Sequence, residues 1–189
     1  MDHSGDLWVS SYRENEITEY APDVKGNVAP INEIRGSSTQ LNGPCGMATD
    51  ANGDLFVANV YGNSITVYAK GARGNTTPKG VIEGGNTNLS WPFAIAFDPS
   101  GRLLVAEENP DVLVFASGAM GNVAPVQNIT SIKAAGGVMS DSAGHIYIAD
   151  TTGNSIKEFA GDANGDAMPL RTISGPKTGL KTPYYLGLQ

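Results

Sequence analysis

Short apolar runs, four to six residues long, recur along the chain, and each is cut off by Gly, Asn, Asp or Pro. Examples are LFVA at 55–58, ITVYA at 65–69 and FAIAF at 93–97. β-Branched and aromatic types dominate them, and that composition between turn residues predicts β-strands. No window carries apolar residues at the 3.6-residue spacing of an amphipathic helix over ten or more positions, so helices are expected to be few. Several runs, such as LLVA at 103–106 and VLVFA at 112–116, are apolar at every position rather than at alternate ones. Strands of that kind are buried on both faces, as happens when small sheets stack against one another.

The runs are ordered as a repeat. One unit opens as DHSGDLWVS (2–10), DANGDLFVA (50–58), DPSGRLLVA (98–106) and DSAGHIYIA (141–149). It continues as ITEYA, ITVYA, VLVFA and IKEFA, and then as GNVAP, GNTTP, GNVAP and GDAMP. The opening Asp recurs after 48, 48 and 43 residues. The third unit is shorter within predicted loops, where changes of length are tolerated. The units span approximately 2–49, 50–97, 98–140 and 141–189 of a single domain, 1–189. Repeats of this length with four short strands each are the signature of a β-propeller. The expected fold is all-β, with four four-stranded antiparallel blades in a closed four-bladed ring or a four-blade arc of a larger propeller. The chain begins just after an innermost strand and ends with one, YYLGLQ at 184–189. Ring closure therefore predicts that this last segment pairs with Leu7–Ser10.

The stretch PCGMATDANGDLFVANVYGNSITVYA at 44–69 is similar to the NHL repeat, and a weaker copy surrounds PFAIAFD at 92–98. The resemblance covers essentially the whole chain. It implies a propeller that serves as a scaffold or ligand binder, with a minority of lyases and lactonases. Amidating lyases of this kind use a histidine-rich metal centre, and streptogramin-lyase relatives need a catalytic histidine. Here the two histidines, His3 and His145, fall in the D-x-x-G turns and match neither arrangement.

Composition narrows the partners. With 12 Lys plus Arg against 19 Asp plus Glu, the formal charge is -7 and the cations are scattered, which argues against nucleic acid. No apolar stretch is long enough to span a bilayer. The lone Cys45 excludes an intramolecular disulfide framework and a cysteine cluster for zinc or iron. The resemblance, together with the acidity, points toward an extracellular or periplasmic location.

Equivalent strand ends of different blades converge on one face of a propeller, so polar residues there are the candidate site. The second-strand segments close at Ser11, Asn59, Glu107 and Asp150, followed by loops with Tyr12, Tyr61, Glu108 and Asn154. Tyr12, Asn59, Tyr61, Glu107, Glu108 and Asp150 form the predicted binding face for a protein or carbohydrate, with no catalytic residue assigned. The alternative is a lactonase- or lyase-like enzyme holding calcium or zinc at Asn59, Glu107 and Asp150, since oxygen ligands suit such ions. Metal-dependent lactonases of the SMP-30 type use a Glu, Asn and Asp set, and IYIAD at 146–150 looks like their Asp-bearing strand end. An open arc would add self-association. Trp8, Trp91, Phe93, Tyr184 and Tyr185 read chiefly as packing residues, with Trp91 and Tyr184 placed to floor a carbohydrate or peptide site.

The pentapeptide DANGD occurs at 50–54 and again at 162–166. Neither copy continues with the Gly and Glu of a calcium loop. Aligned on the repeat they fall in different slots, the first in the turn before the second strand and the second in a later connection. Both are expected to be turns rather than ion sites.

Overall fold

The structure, a computed structural model, describes residues 5–108 and 111–187. Fifteen strands form four antiparallel sheets, and the one helical element among the described residues is a 3-10 turn at Pro176–Thr178. Among the described residues no helix is long and apolar enough to cross a membrane. His3 lies outside the described residues, as do the last two positions of the C-terminal segment.

The first sheet is three-stranded, with β1 (Leu7–Ser11), β2 (Glu16–Tyr20) and β3 (Asn32–Arg35). The second contains β4 (Pro44–Thr49), β5 (Leu55–Asn59), β6 (Ser64–Tyr68) and β7 (Gly80–Ile82). The third contains β8 (Pro92–Phe97), β9 (Leu103–Glu107), β10 (Val112–Phe115) and β11 (Gln127–Ile129). The fourth contains β12 (Ala135–Ser140), β13 (Ile146–Asp150), β14 (Ser155–Phe159) and β15 (Arg171–Ile173). Each complete sheet thus joins the last strand of one sequence unit to the first three of the next. The innermost strands β4, β8 and β12 each carry a register shift near the start, a bulge repeated in every complete blade.

The turn before the second strand is closed as the sequence suggests. Asp50 Oδ1 accepts the amides of Asn52 and Asp54, both at 2.9 Å. Asp98 and Asp141 do the same for Ser100 and Arg102, and for Ala143 and His145. His145 completes its turn through Nδ1, 3.0 Å from Asp141 Oδ2. It is a turn residue, as its slot in the repeat predicts.

The core lies between blades, which is why whole strands are apolar. Alternate residues of a strand face opposite neighbours. Leu55 and Val57 pack toward the first blade with Ile17 and Ile34, while Phe56 and Ala58 pack toward the third with Leu103 and Val105. Leu104, Ala106 and Ile129 meet Ile146, Ile148 and Phe159 in the next interface. β5, β6, β9 and β10 are accordingly buried along their full length.

A backbone latch accompanies each interface. Gly74, Gly121 and Gly165 form parallel bridges to Ile34, Ile82 and Ile129 of the preceding blade. In each case the glycine amide donates to the carbonyl before the isoleucine (Glu33, Val81, Asn128) at 2.6–2.7 Å. Its carbonyl accepts the amide after it, from Arg35, Glu83 and Thr130. These glycines sit at φ 61–72°, where a side chain would be strained. The two DANGD copies are therefore different devices: Asp50–Asp54 closes a hairpin within a blade, and Asp162–Asp166 supplies the latch glycine Gly165 between blades.

The corresponding fourth bridge, Ile173 to Gly26, is absent among the described residues, and β1 pairs only with β2. Among the described residues the expected pairing of the C-terminal segment with Leu7–Ser10 is not formed. Residues 184 and 185 instead run beside β12. A Cβ placed on Gly137 would meet Tyr184 O at 2.5 Å, as one on Gly46 of β4 would meet Phe93 O of β8 at 2.6 Å. The tail occupies the place where the innermost strand of a following blade would start.

Candidate functional site

The strand-end residues Asn59, Glu107 and Asp150 are buried, at 0%, 2% and 1% exposure. Each accepts a backbone amide from the loop that enters the innermost strand of its own blade. Asn59 Oδ1 takes Asn42 N–H at 3.0 Å, Glu107 Oε1 takes Ser90 N–H at 2.7 Å, and Asp150 Oδ1 takes Lys133 and Ala134 N–H at 3.3 Å. Asn59 also donates to Val57 O and Thr66 Oγ1. Asp150 accepts Gly153 N–H and pairs with Lys157 Nζ at 3.0 Å. Among the described residues no group of three His, Cys, Asp or Glu is placed to hold a metal. Burial pushes the Glu107 carboxyl up to about 8, with the Ser90 amide opposing and the Asp111 charge adding to the rise.

In front of these anchors lies an aromatic row. The rings of Tyr12 and Tyr61 are 5.0 Å apart and tilted at 51°, and Trp91 stands edge-on to Tyr61 at 5.9 Å and 79°. Tyr61 is 55% exposed and Trp91 46%. A hydrogen bond with Tyr61, then burial and the charge of Glu108, push the Tyr12 phenol up to about 12. The exposed Glu108 is bound to the row through its amide, which donates to Trp91 O at 3.2 Å. The structure thus brings Tyr12, Tyr61 and Glu108 together on one face, with Asn59, Glu107 and Asp150 buried and bonded within their blades.

Trp91, expected from the sequence chiefly as a packing residue, is instead half-exposed. It is held at φ +57°, an unusual conformation for a bulky side chain. The equivalent positions, each just before a proline (Pro44 and Pro183), are Gly43 at φ +70° and Thr182 at φ +48°. All three amides donate to an asparagine of the preceding hairpin: Gly43 to Asn15, Trp91 to Asn63 and Thr182 to Asn154, at 2.7–2.8 Å. The left-handed backbone is thus imposed by the repeat. Gly43 also makes room for the row, since a Cβ there would lie 2.8 Å from the Tyr61 ring.

A second aromatic group stands at an axial cavity of about 420 Å³, lined by residues of β1, β4, β8, β12 and the C-terminal segment. Phe93 lies 5.9 Å from Tyr184 and 6.2 Å from Tyr185 by ring centroids. Tyr185 hydrogen-bonds the Cys45 thiol, whose pKa is raised by burial. That thiol is half-hidden and held in its un-ionised form, unlike an activated nucleophile.

Sheets of four antiparallel strands stacked through their faces, with innermost strands around a common cavity, leave one architecture. The fold is a β-propeller. Solved structures agree: selenomethionine-substituted virginiamycin B lyase from Staphylococcus aureus superposes with a TM-score of 0.67 at 16% identity, over 97% of this chain and 56% of that one. A chain of the Mitotic Checkpoint Complex gives 0.67 at 15% identity, over 96% and 54%. The Kuenenia stuttgartiensis hydrazine synthase gives 0.60 at 19% identity, over 80% and 40%. At these identities the likeness is one of fold. The chain spans about half the length of the propellers it matches. No protein-family model matches the sequence, and no curated protein does.

Proposed function

We propose that this NHL-like propeller is a non-catalytic binding module whose ligand lies on the face carrying Tyr12, Tyr61, Trp91 and Glu108. The observation that carries this reading is the exposed aromatic row, in which Trp91 and Tyr61, 46% and 55% exposed, stand edge to face with Tyr12 beside them. Three neighbouring aromatic rings beside a carboxylate suit the apolar face and hydroxyls of a sugar ring. Asn59, Glu107 and Asp150 act on this face indirectly, by holding its loops.

The test is titration of the chain with a panel of oligosaccharides, followed by tryptophan fluorescence and calorimetry. A saccharide that binds the wild type is expected to lose at least about tenfold in affinity in Trp91→Ala and Tyr61→Ala, the scale of a lost aromatic anchor. Full affinity in both variants would reject the site.

A further inference from the structure

We propose that two copies of the chain join head to tail, the first blade of each docking on the fourth blade of the other. The three interblade interfaces define what each face takes as a partner, and the chain carries both halves of a fourth. On the leading face of the first blade, Leu7 and Val9 are 45% and 39% exposed. Their equivalents Leu55, Leu103 and Ile146, and Val57, Val105 and Ile148, are all at 5% or less. On the trailing face of the fourth blade Ile173 is 58% exposed, whereas Ile34, Ile82 and Ile129 are at 0%.

The latch is also present in two halves. Gly26 occupies the slot of Gly74, Gly121 and Gly165 and has the same left-handed backbone, φ +78°. Thr172 C=O and Ser174 N–H occupy the slots of its bonding partners. A side-chain latch repeats the pattern. Asn75 Oδ1 accepts Ser38 N–H beside Gly36, and Asn122 Oδ1 accepts Asn86 N–H beside Gly84. A Cβ on either glycine would overlap the asparagine at 2.5–2.6 Å, but one on Gly175 would meet nothing within 4 Å. The loop at Gly175 already has its internal bonds, Thr178 Oγ1 to Gly175 O and Leu180 N–H to Thr178 Oγ1, like those at Thr39 and Thr87. The open seat is thus formed before it is filled, and the asparagine in the matching slot is Asn27, on the first blade.

Strand completion makes the same match. Among the described residues the first sheet has three strands, and residues 184 and 185 stand where the innermost strand of a following blade begins. A docked second copy would set its β1 beside that tail, which would pair with it as a fourth strand. By the register of β4 on β5, in which Met47 faces Val57, Leu186 of one copy would face Val9 of the other. Head-to-tail contacts make rings when the rotation closes. Propellers run to about eight blades, so two copies with two identical seams complete one.

Sedimentation equilibrium over a micromolar range tests the assembly. The expected species is twice the 19.7 kDa chain, with Val9→Lys and Ile173→Asp each weakening it at least about tenfold because each buries an unpaired charge. Both substitutions fall on exposed positions, so circular dichroism should show the fold intact. In a Cys45→Ala background, chains carrying Val9→Cys mixed with chains carrying Leu186→Cys are expected to form a mixed disulfide dimer. A monomer at every concentration overturns the proposal. So does a dimer indifferent to both charges, or a Val9→Cys/Leu186→Cys double variant that oxidises within one chain.

Discussion

The two middle blades and the two end blades are built from the same repeat, yet the same residue type meets different surroundings in them. Ile82 and Ile129 are sealed, while Ile173, at the same strand position, is more than half exposed. Burial here belongs to the neighbouring blade and not to the residue. A propeller blade carries the chemistry of an interface on both faces whether or not a partner is present, much as stacked repeats derive stability from nearest-neighbour contacts.

The contrast is sharpest for core truncation. Ile82→Ala is expected to cost about 2–5 kcal/mol, as a cavity in a closed interior does, whereas Ile173→Ala in the dilute chain should cost under about 0.5 kcal/mol. Urea denaturation of both at low and high protein concentration measures the difference. Convergence of the two costs at high concentration would mean that the fourth blade has acquired its neighbour.

Two buried carboxylates provide a second contrast. Asp150 in the end blade has Lys157 beside it, but Glu107 in a middle blade has Asp111. With an ordinary value of 4.5 and a folded value of about 8, Glu107 holds its proton more tightly in the folded chain. Its contribution is fully present below pH 4.5 and is lost as the pH rises toward 8, on the order of a few kcal/mol by linkage. Glu107→Gln keeps the acceptor for Ser90 N–H and cannot ionise. Melting curves of the variant should be flatter than wild type across that window, and an unchanged pH profile would count against the buried neutral acid.

The smallest expected effect compares the made and unmade latches. Asn75→Ala removes the bond to Ser38 N–H and should cost about 1 kcal/mol. Asn27→Ala should be neutral in the dilute chain and should weaken any association, readable by denaturation alongside sedimentation.

Much of the fold was legible from sequence because strands, turns and their order repeat. The D-x-x-G turn could be read from a single Asp, whose short side chain closes the backbone on itself at Asp50, Asp98 and Asp141 alike. The role of Asn59, Glu107 and Asp150 was harder to read. Their donors are backbone amides of Asn42, Ser90 and Lys133, and an amide leaves no trace in residue type; the constant spacing of 17 was the available signal. Trp91 could have been found from its alignment with Gly43 and Thr182 before a proline, since a tryptophan where another copy carries glycine sets residue choice against local conformation. The aromatic row itself depends on which hairpins lie side by side, and strand propensity says nothing of that.

The glycine latch has a consequence for how such a molecule changes over generations. Its two hydrogen bonds run between main chains, so almost any substitution around Gly74, Gly121 or Gly165 leaves the coupling intact provided the glycine stays. A segment of one repeat, cut anywhere at the same phase, therefore carries a plug on one side and a socket on the other. Duplication or loss of a whole unit by unequal recombination would reconnect without redesign of either neighbour, and the number of blades becomes a quantity that can drift while the sequence of each blade diverges.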